Sequence, residues 1–156
     1  MANEYSVRPI GTVNCSRIEA FDDHWDTEES AIVLDRSVLG ESAATALDSF
    51  SHIEVIYLFH QLADDKVVSD ARRPRGNTDW PLVGILAQRG KNRPNKLGAT
   101  IGELLEVQGQ RIRVRGLDAI DGTPVLDIKP VMSGFLPRGS IKEPDWAREI
   151  MAEYWA

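Results

Sequence analysis

What most constrains this chain is how little helix it has with which to cover a sheet. Only residues 41–47 and the amphipathic stretch 145–155, with Trp146, Ile150, Met151 and Tyr154 at helical spacing, read as helical. The other apolar residues fall into short runs bounded by turn formers. Residues 7–15 and 31–34 predict two strands. Ile53-Glu54-Val55-Ile56-Tyr57-Leu58-Phe59 predicts a third, β-branched and aromatic enough to lie centrally with both faces largely buried. Residues 82–87 predict a fourth. From Ala99 the chain reads as strand, turn at Gln108-Gly109-Gln110, and strand, with Ile112 and Val114 alternating against Arg111, Arg113 and Arg115. Asp121-Gly122 then turns into a last strand at Pro124-Val125-Leu126-Asp127-Ile128. Sheet faces without helices must cover one another. The fold expected is therefore mainly β, a small closed or nearly closed β-barrel with a few short helices and a C-terminal helix, rather than an open α/β sheet. One domain is expected over residues 1–156, with a barrel core of about 7–136 and a helical tail of about 143–156.

Composition removes several function classes. No apolar run approaches the ~20 residues that cross a bilayer. The first residues lack the basic and then apolar pattern of a signal peptide, and the only cysteine, Cys15, can make no internal disulfide. A soluble chain in a reducing cytoplasm is expected, with no membrane partner. His24, His52 and His60 sit at no metal-ligand spacing and have no cysteine partners, so no metal is expected. No Gly-x-Gly-x-x-Gly follows a strand, which removes the dinucleotide-binding β-α-β unit. The net charge of −6 argues against a surface that grips nucleic acid all round. Its distribution is uneven, however. Asp22, Asp23, Asp26, Glu28 and Glu29 load the first third with acid, while Arg72, Arg73, Arg75, Arg89, Lys91, Arg93, Lys96, Arg111, Arg113 and Arg115 make the middle basic.

Three segments carry chemistry beyond a generic barrel. His60-Gln61 closes the most apolar strand, where polar side chains cap the strand end or face a cleft. Arg89-Gly90-Lys91-Asn92-Arg93-Pro94-Asn95-Lys96-Leu97-Gly98 is a basic loop in which Pro94 before the Asn95 amide fixes the backbone and Gly98 after it permits a turn, a set conformation useful for holding something. In Leu117-Asp118-Ala119-Ile120-Asp121-Gly122-Thr123-Pro124-Val125-Leu126-Asp127-Ile128-Lys129-Pro130, Asp127 and Lys129 lie two apart and so on one face. An inward-facing acid and base must pair or meet a ligand, because an unpaired buried charge is costly.

Phe50-Ser51-His52, Phe59-His60-Gln61, Arg73-Pro74-Arg75-Gly76, Val83-Gly84-Ile85-Leu86-Ala87-Gln88-Arg89, Arg93-Pro94-Asn95-Lys96-Leu97-Gly98 and residues 117–130 stand in the order and spacing of the tRNA adenosine methyltransferase family often called TrmO. The chain resembles that family from about residue 10 to about residue 130. The resemblance implies a β-barrel homodimer with S-adenosylmethionine as cofactor. It also implies methylation of the 6-amino nitrogen of threonylcarbamoyl-adenosine at tRNA position 37. It makes His60, Gln61, Arg89 and Ala99 cofactor contacts, with Gly116, Leu117 and Asp118 following through backbone and carboxylate. Arg93, Asn95, Asp127 and Lys129 would lie in or directly under the pocket. Two departures stand out. Phe21-Asp22-Asp23-His24-Trp25-Asp26 replaces the family's Pro-Arg-x-Pro-Gly stretch, and Lys96 stands where a proline is common.

Methyl transfer from a sulfonium is an in-line displacement, so the protein mainly aligns the nucleophile and excludes water. His60 and Asp127 are the candidate proton acceptors, and the sequence does not choose between them. For the RNA the candidates are Arg72, Arg73, Arg75, Arg111 and Arg113. Arg111, Arg113 and Arg115 share a strand face and would form a row of charge, with the acidic first third facing away. Two alternatives stay open: a methyltransferase of the same fold acting on a small molecule or another RNA, and a non-catalytic module that binds S-adenosylmethionine.

Overall fold

In the computed structural model, which describes residues 2–156, alternating side chains roll the sheet into a closed barrel. The strands are β1 (Gly11–Asn14), β2 (Glu29–Leu34), β3 (His52–Leu58), β4 (Ala71–Arg72), β5 (Val83–Gly84), β6 (Leu97–Gln108), β7 (Arg111–Arg115) and β8 (Pro124–Pro130). Six of them close in the order β1, β2, β7, β6, β3, β8, every pairing antiparallel. Inward positions supply the core: Val13, Ile32, Ile53, Val55, Tyr57, Ile112, Val114 and Val125. Leu117 and Ala119, from the segment after β7, enter the same core. A barrel of eight strands is only just wide enough for its side chains to fill, so one of six has no room inside for a ligand. Any site must lie on the outer face or at an end.

The β6–β7 hairpin turns through two residues, and Gly109 has φ +60°, as the first position of a type II′ turn requires. Gly98 answers a different need. A Cβ there would lie 2.5 Å from the Tyr57 ring, so only glycine lets β6 pass over that buried aromatic.

Several expectations change in detail. The first strand is Gly11–Asn14 rather than 7–15, and the second extends to Glu29–Leu34. Residues 41–47 form successive turns, with bonds from Ala43 N to Gly40 O and from Thr45 N to Ser42 O, and Ala46 at φ 66°. The left-handed Ala46 cannot continue a right-handed helix, and the chain passes instead into a 3-10 turn at Leu47–Ser49. Of 82–87 only β5 is strand; it pairs with β4 outside the barrel, and Ile85–Ala87 is a 3-10 turn. The C-terminal helix, α1 (Asp145–Ile150), is a turn and a half, followed by turns rather than helix to 155. β3 is buried on its inner face and half-buried, not buried, on its outer one.

Candidate functional site

The outer face of β6, β3 and β8 gathers residues that are far apart in sequence. Register places Ile56 between Ala99 on β6 and Asp127 on β8, and Glu54 between Ile101 and Lys129. Asp127 and Lys129 do share a face, but it is the outer one, which corrects the expectation that they point inward. The cause is a bulge: Ile56 pairs with Asp127 and Tyr57 with Val125, so Leu126 is the extra residue and alternation reverses across it. Ile128 consequently packs on the core, and the Lys129 ammonium lies 3.0 Å from the Asp127 carboxylate with both side chains about half exposed. Leu97 and Ile101 extend this face and remain 41% and 46% exposed.

The basic loop docks at its edge. Arg89 donates from Nη2 to the Ala99 carbonyl at 2.5 Å, which holds its guanidinium beside the Ala99–Ile56–Asp127 row. Arg93 donates to the Gln88 carbonyl at 2.6 Å, and Gln88 in turn donates to the Arg72 and Val83 carbonyls, tying the loop to the two-stranded sheet. Asn95 and Lys96 both have left-handed backbones, φ 64° and 53°. Asparagine tolerates this readily and lysine poorly. Lys96 is held there by its ammonium, which donates to the Leu62 carbonyl at 2.8 Å and pairs with Asp64. His60 and Gln61 are exposed just beyond β3, with His60 Nε2 beside Gly122 of the turn before β8.

Asp118 lies on the other side of the same strands. Its carboxylate accepts hydrogen bonds from Tyr57 (2.9 Å), from Thr100 and from Tyr154. Tyr57 and Thr100 are inward residues of β3 and β6, whereas Ala99 between Gly98 and Thr100 points out. The family-assigned residues therefore divide. Arg89, Ala99, Asp127 and Lys129 share the outer face, while Leu117, wholly buried, and Asp118 sit within one end of the barrel. Burial and the nearby Asp118 charge raise both tyrosine pKa values well above the usual tyrosine range, so the hydroxyls stay protonated donors.

Sequence patterning assigns no polar role to Tyr57, Thr100 or Tyr154, the last standing only in an apolar tail. The available signal was that an inward Tyr in a buried strand needs a partner for its hydroxyl. The tail folds back on its own chain: Trp25 N donates to Tyr154 O at 2.9 Å, His24 N to Glu153 O at 3.0 Å, and Trp80 Nε1 to Glu149 at 2.7 Å. The segment 21–26 is thus a support for this tail, pinned by Arg17, whose guanidinium stacks over Trp25 and donates to the Phe21, Asp23 and His24 carbonyls.

The charge expectations also need correcting. Arg111, Arg113 and Arg115 do share the outer face of β7, but Arg113 pairs with Glu29 and Glu106, and Arg115 with Glu29 and Glu103, on the flanking strands. Cross-strand acids neutralise most of the row. Hydrogen bonds from Arg115 and Arg113 hold the Glu29 carboxyl below its usual value, so its stabilisation is complete above the ordinary glutamate range and is lost as pH falls through the lowered value. The acidic first third does not face away from the Arg72–Arg75 loop either: Arg75 reaches Asp23 at 2.9 Å and Asp22 at 3.8 Å. Among the described residues no cluster of three His, Cys, Asp or Glu could hold a metal, and no helix is long and apolar enough to cross a membrane.

The fold and the outer row together define a class: a six-stranded antiparallel barrel whose lumen is filled by side chains and whose outer face carries a row of charged and small residues. Its family follows from direct comparison. A family model described as the tRNA-methyltransferase O N-terminal domain matches residues 22–135, and the chain belongs to that family. It is 40% identical over 131 residues to a probable S-adenosyl-L-methionine-binding protein of Methanothermobacter thermautotrophicus, covering 81% of this chain and 90% of that one. It is 42% identical over 90 residues to a putative S-adenosylmethionine-dependent methyltransferase of Pseudomonas aeruginosa, covering 56% of this chain and 36% of that one. It is 34% identical over 104 residues to the human tRNA (adenine(37)-N6)-methyltransferase, covering 67% of this chain and 23% of that one. This chain therefore matches the archaeal relative nearly whole and only a minor part of the other two. A crystal structure of TrmO from Pseudomonas aeruginosa superposes with a TM-score of 0.73 at 26% identity, covering 90% of this chain and 61% of that one.

Proposed function

We propose that this chain is an S-adenosylmethionine-dependent methyltransferase acting on the 6-amino nitrogen of threonylcarbamoyl-adenosine at tRNA position 37. The observation that carries the reading is the outer row in a chain of this family: Arg89 beside Ala99, then Ile56, then Asp127 with Lys129. The row fits the cofactor's chemistry. Its small apolar floor suits an adenosine face, and the guanidinium and the carboxylate at its edges suit the carboxylate and ammonium of a methionine end. S-adenosylmethionine supplies, when bound, a methyl carbon already activated by its sulfonium. What the protein's residues contribute is binding, alignment and proton removal. The amine of the substrate loses a proton as its nitrogen bonds to carbon, and an adjacent acceptor lowers that barrier. With the Asp127 carboxylate assigned to the cofactor's ammonium, exposed His60 is the acceptor.

The test is transfer of labelled methyl groups to two tRNA preparations, one carrying threonylcarbamoyl-adenosine and one with plain adenosine at that position. Label is expected in the first alone. Label in both would move the substrate to adenosine itself, and cofactor binding without transfer to any RNA would make the chain a binding module.

The reading includes a homodimer. Its support is the exposed Leu97 and Ile101 beside the outer row, and the division of family-assigned residues between that face and the barrel end, which a second copy would unite. The C-terminal tail gives no support, since it covers its own barrel. Light scattering is expected to report twice the chain mass at micromolar concentration, and Leu97→Glu with Ile101→Glu to report the monomer. A wild-type monomer across that range refutes the dimer.

A further inference from the structure

Of the chain's 18 lysines and arginines, seven lie between residues 66 and 93, against only two of its 24 aspartates and glutamates, Asp70 and Asp79. The structure makes this imbalance a surface. The segment is one lobe on the barrel's flank, built on the β4–β5 pair and cross-linked by Asn92, which donates to the Lys66 carbonyl at 2.9 Å and accepts from Val68 N at 3.1 Å. Gln88 bonds to the Arg72 carbonyl, and Ile85 N to the Asp70 carbonyl, binding its two halves together. Among the described residues, only Arg75 of its seven cations is in a salt bridge, to Asp22 and Asp23. Arg73, Arg89 and Arg93 spend hydrogen bonds on backbone carbonyls, which fixes their positions without cancelling their charge. Lys66 and Lys91 are exposed with no side-chain partner among the described residues. The contrast with β7 is direct, because there Glu29, Glu103 and Glu106 neutralise Arg113 and Arg115.

We infer that the 66–93 lobe, and not the β7 arginine row, is the surface that grips the phosphate backbone of the substrate RNA. The inference rests on the methyltransferase reading and identifies where its substrate binds. Fixed cations with no carboxylate partners keep their full field for a polyanion, whereas paired ones must first break an ion pair. Position agrees with charge. Arg89, at the end of the lobe, donates to the Ala99 carbonyl, so a phosphate backbone laid along the lobe runs to the outer row where the methyl group would be delivered. The acidic remainder of the chain would repel RNA elsewhere, confining it to this approach.

The test compares Lys66→Glu/Lys91→Glu with Arg111→Ala/Arg113→Ala by binding of labelled tRNA over a salt series, with calorimetric titration of S-adenosylmethionine in parallel. The lysine reversal touches no hydrogen bond of the fold. It is expected to weaken tRNA binding at least tenfold at low salt and to lower the salt slope by about one unit per lysine, leaving cofactor affinity at the wild-type value. The arginine pair should bind tRNA as the wild type does. Wild-type affinity and slope in the lysine variant overturn the lobe as the RNA surface while the methyltransferase reading stands. A wild-type protein that binds S-adenosylmethionine but no tRNA at any salt overturns the RNA reading, and the lobe with it.

Discussion

Asp118→Ala is expected to lower the unfolding free energy by about 3 kcal/mol or more. Three hydroxyls converge on that carboxylate, two of them from buried or nearly buried inward positions of β3 and β6. Hydrogen bonds to a charged acceptor contribute roughly 1.5–3 kcal/mol each, and a buried donor left unpaired costs about 1–3 kcal/mol. Tyr57 keeps a second acceptor in the Asp118 backbone carbonyl at 3.1 Å, so the loss is less than three full bonds. Thr100 and Tyr154 lose theirs. Denaturant titration should show the midpoint fall with an unchanged slope, since the native core stays folded up to the transition. Asp118→Asn, which keeps an acceptor oxygen of the same shape, should recover most of the loss. A destabilisation under 1 kcal/mol in the alanine variant would mean that the three bonds do not hold this end of the barrel together.

Arg89→Ala should separate binding from stability in the opposite sense. The side chain is exposed and its one hydrogen-bond partner among the described residues is the Ala99 carbonyl, so removing it should change the unfolding free energy little. Affinity for S-adenosylmethionine is expected to fall about ten- to a hundredfold, because a guanidinium bond to a ligand carboxylate or adenine edge is worth on the order of 1.5–3 kcal/mol. Arg89→Lys keeps the charge but not the forked geometry, and should recover only part of the affinity. Calorimetry giving the wild-type dissociation constant for the alanine variant would remove Arg89 from the site.

Much of the fold was legible in the chain. Residues 53–59 and 111–115 alternate or run apolar over lengths only a strand accommodates, and Gln108-Gly109-Gln110 offers the glycine that a tight hairpin needs. These are local signals, each readable from a few neighbouring residues. The same kind of signal failed at 41–47, where composition favours helix but Ala46 turns left-handed and the run passes into a 3-10 turn, and at 82–87, where an apolar run belongs partly to a 3-10 turn. Of the basic loop, Pro94, Asn95 and Gly98 mark an unusual backbone in the sequence, and Asn95 has the left-handed conformation that asparagine tolerates, whereas the place where the loop docks is set by Arg89 reaching the Ala99 carbonyl.

By itself the sequence determined the strand periods, the hairpin, the shortage of helix and the sign of charge in each segment, because each depends on residues close along the chain. Only the tertiary structure decided which charges remain free, which way Asp127 faces and what Asp118 does. A single unpaired residue at Leu126 reverses the facing of Asp127 and Lys129, and no local pattern announces a bulge that arises from pairing with β3. Arg113 and Arg115 lose their field to Glu29, Glu103 and Glu106, which come from strands separated from β7 by up to 86 residues of chain or by a hairpin. Tyr57, Thr100 and Tyr154 meet on one carboxylate because barrel closure and a folded-back tail bring them there. Pairing across a closed sheet is a non-local choice, and it is made by the whole barrel at once.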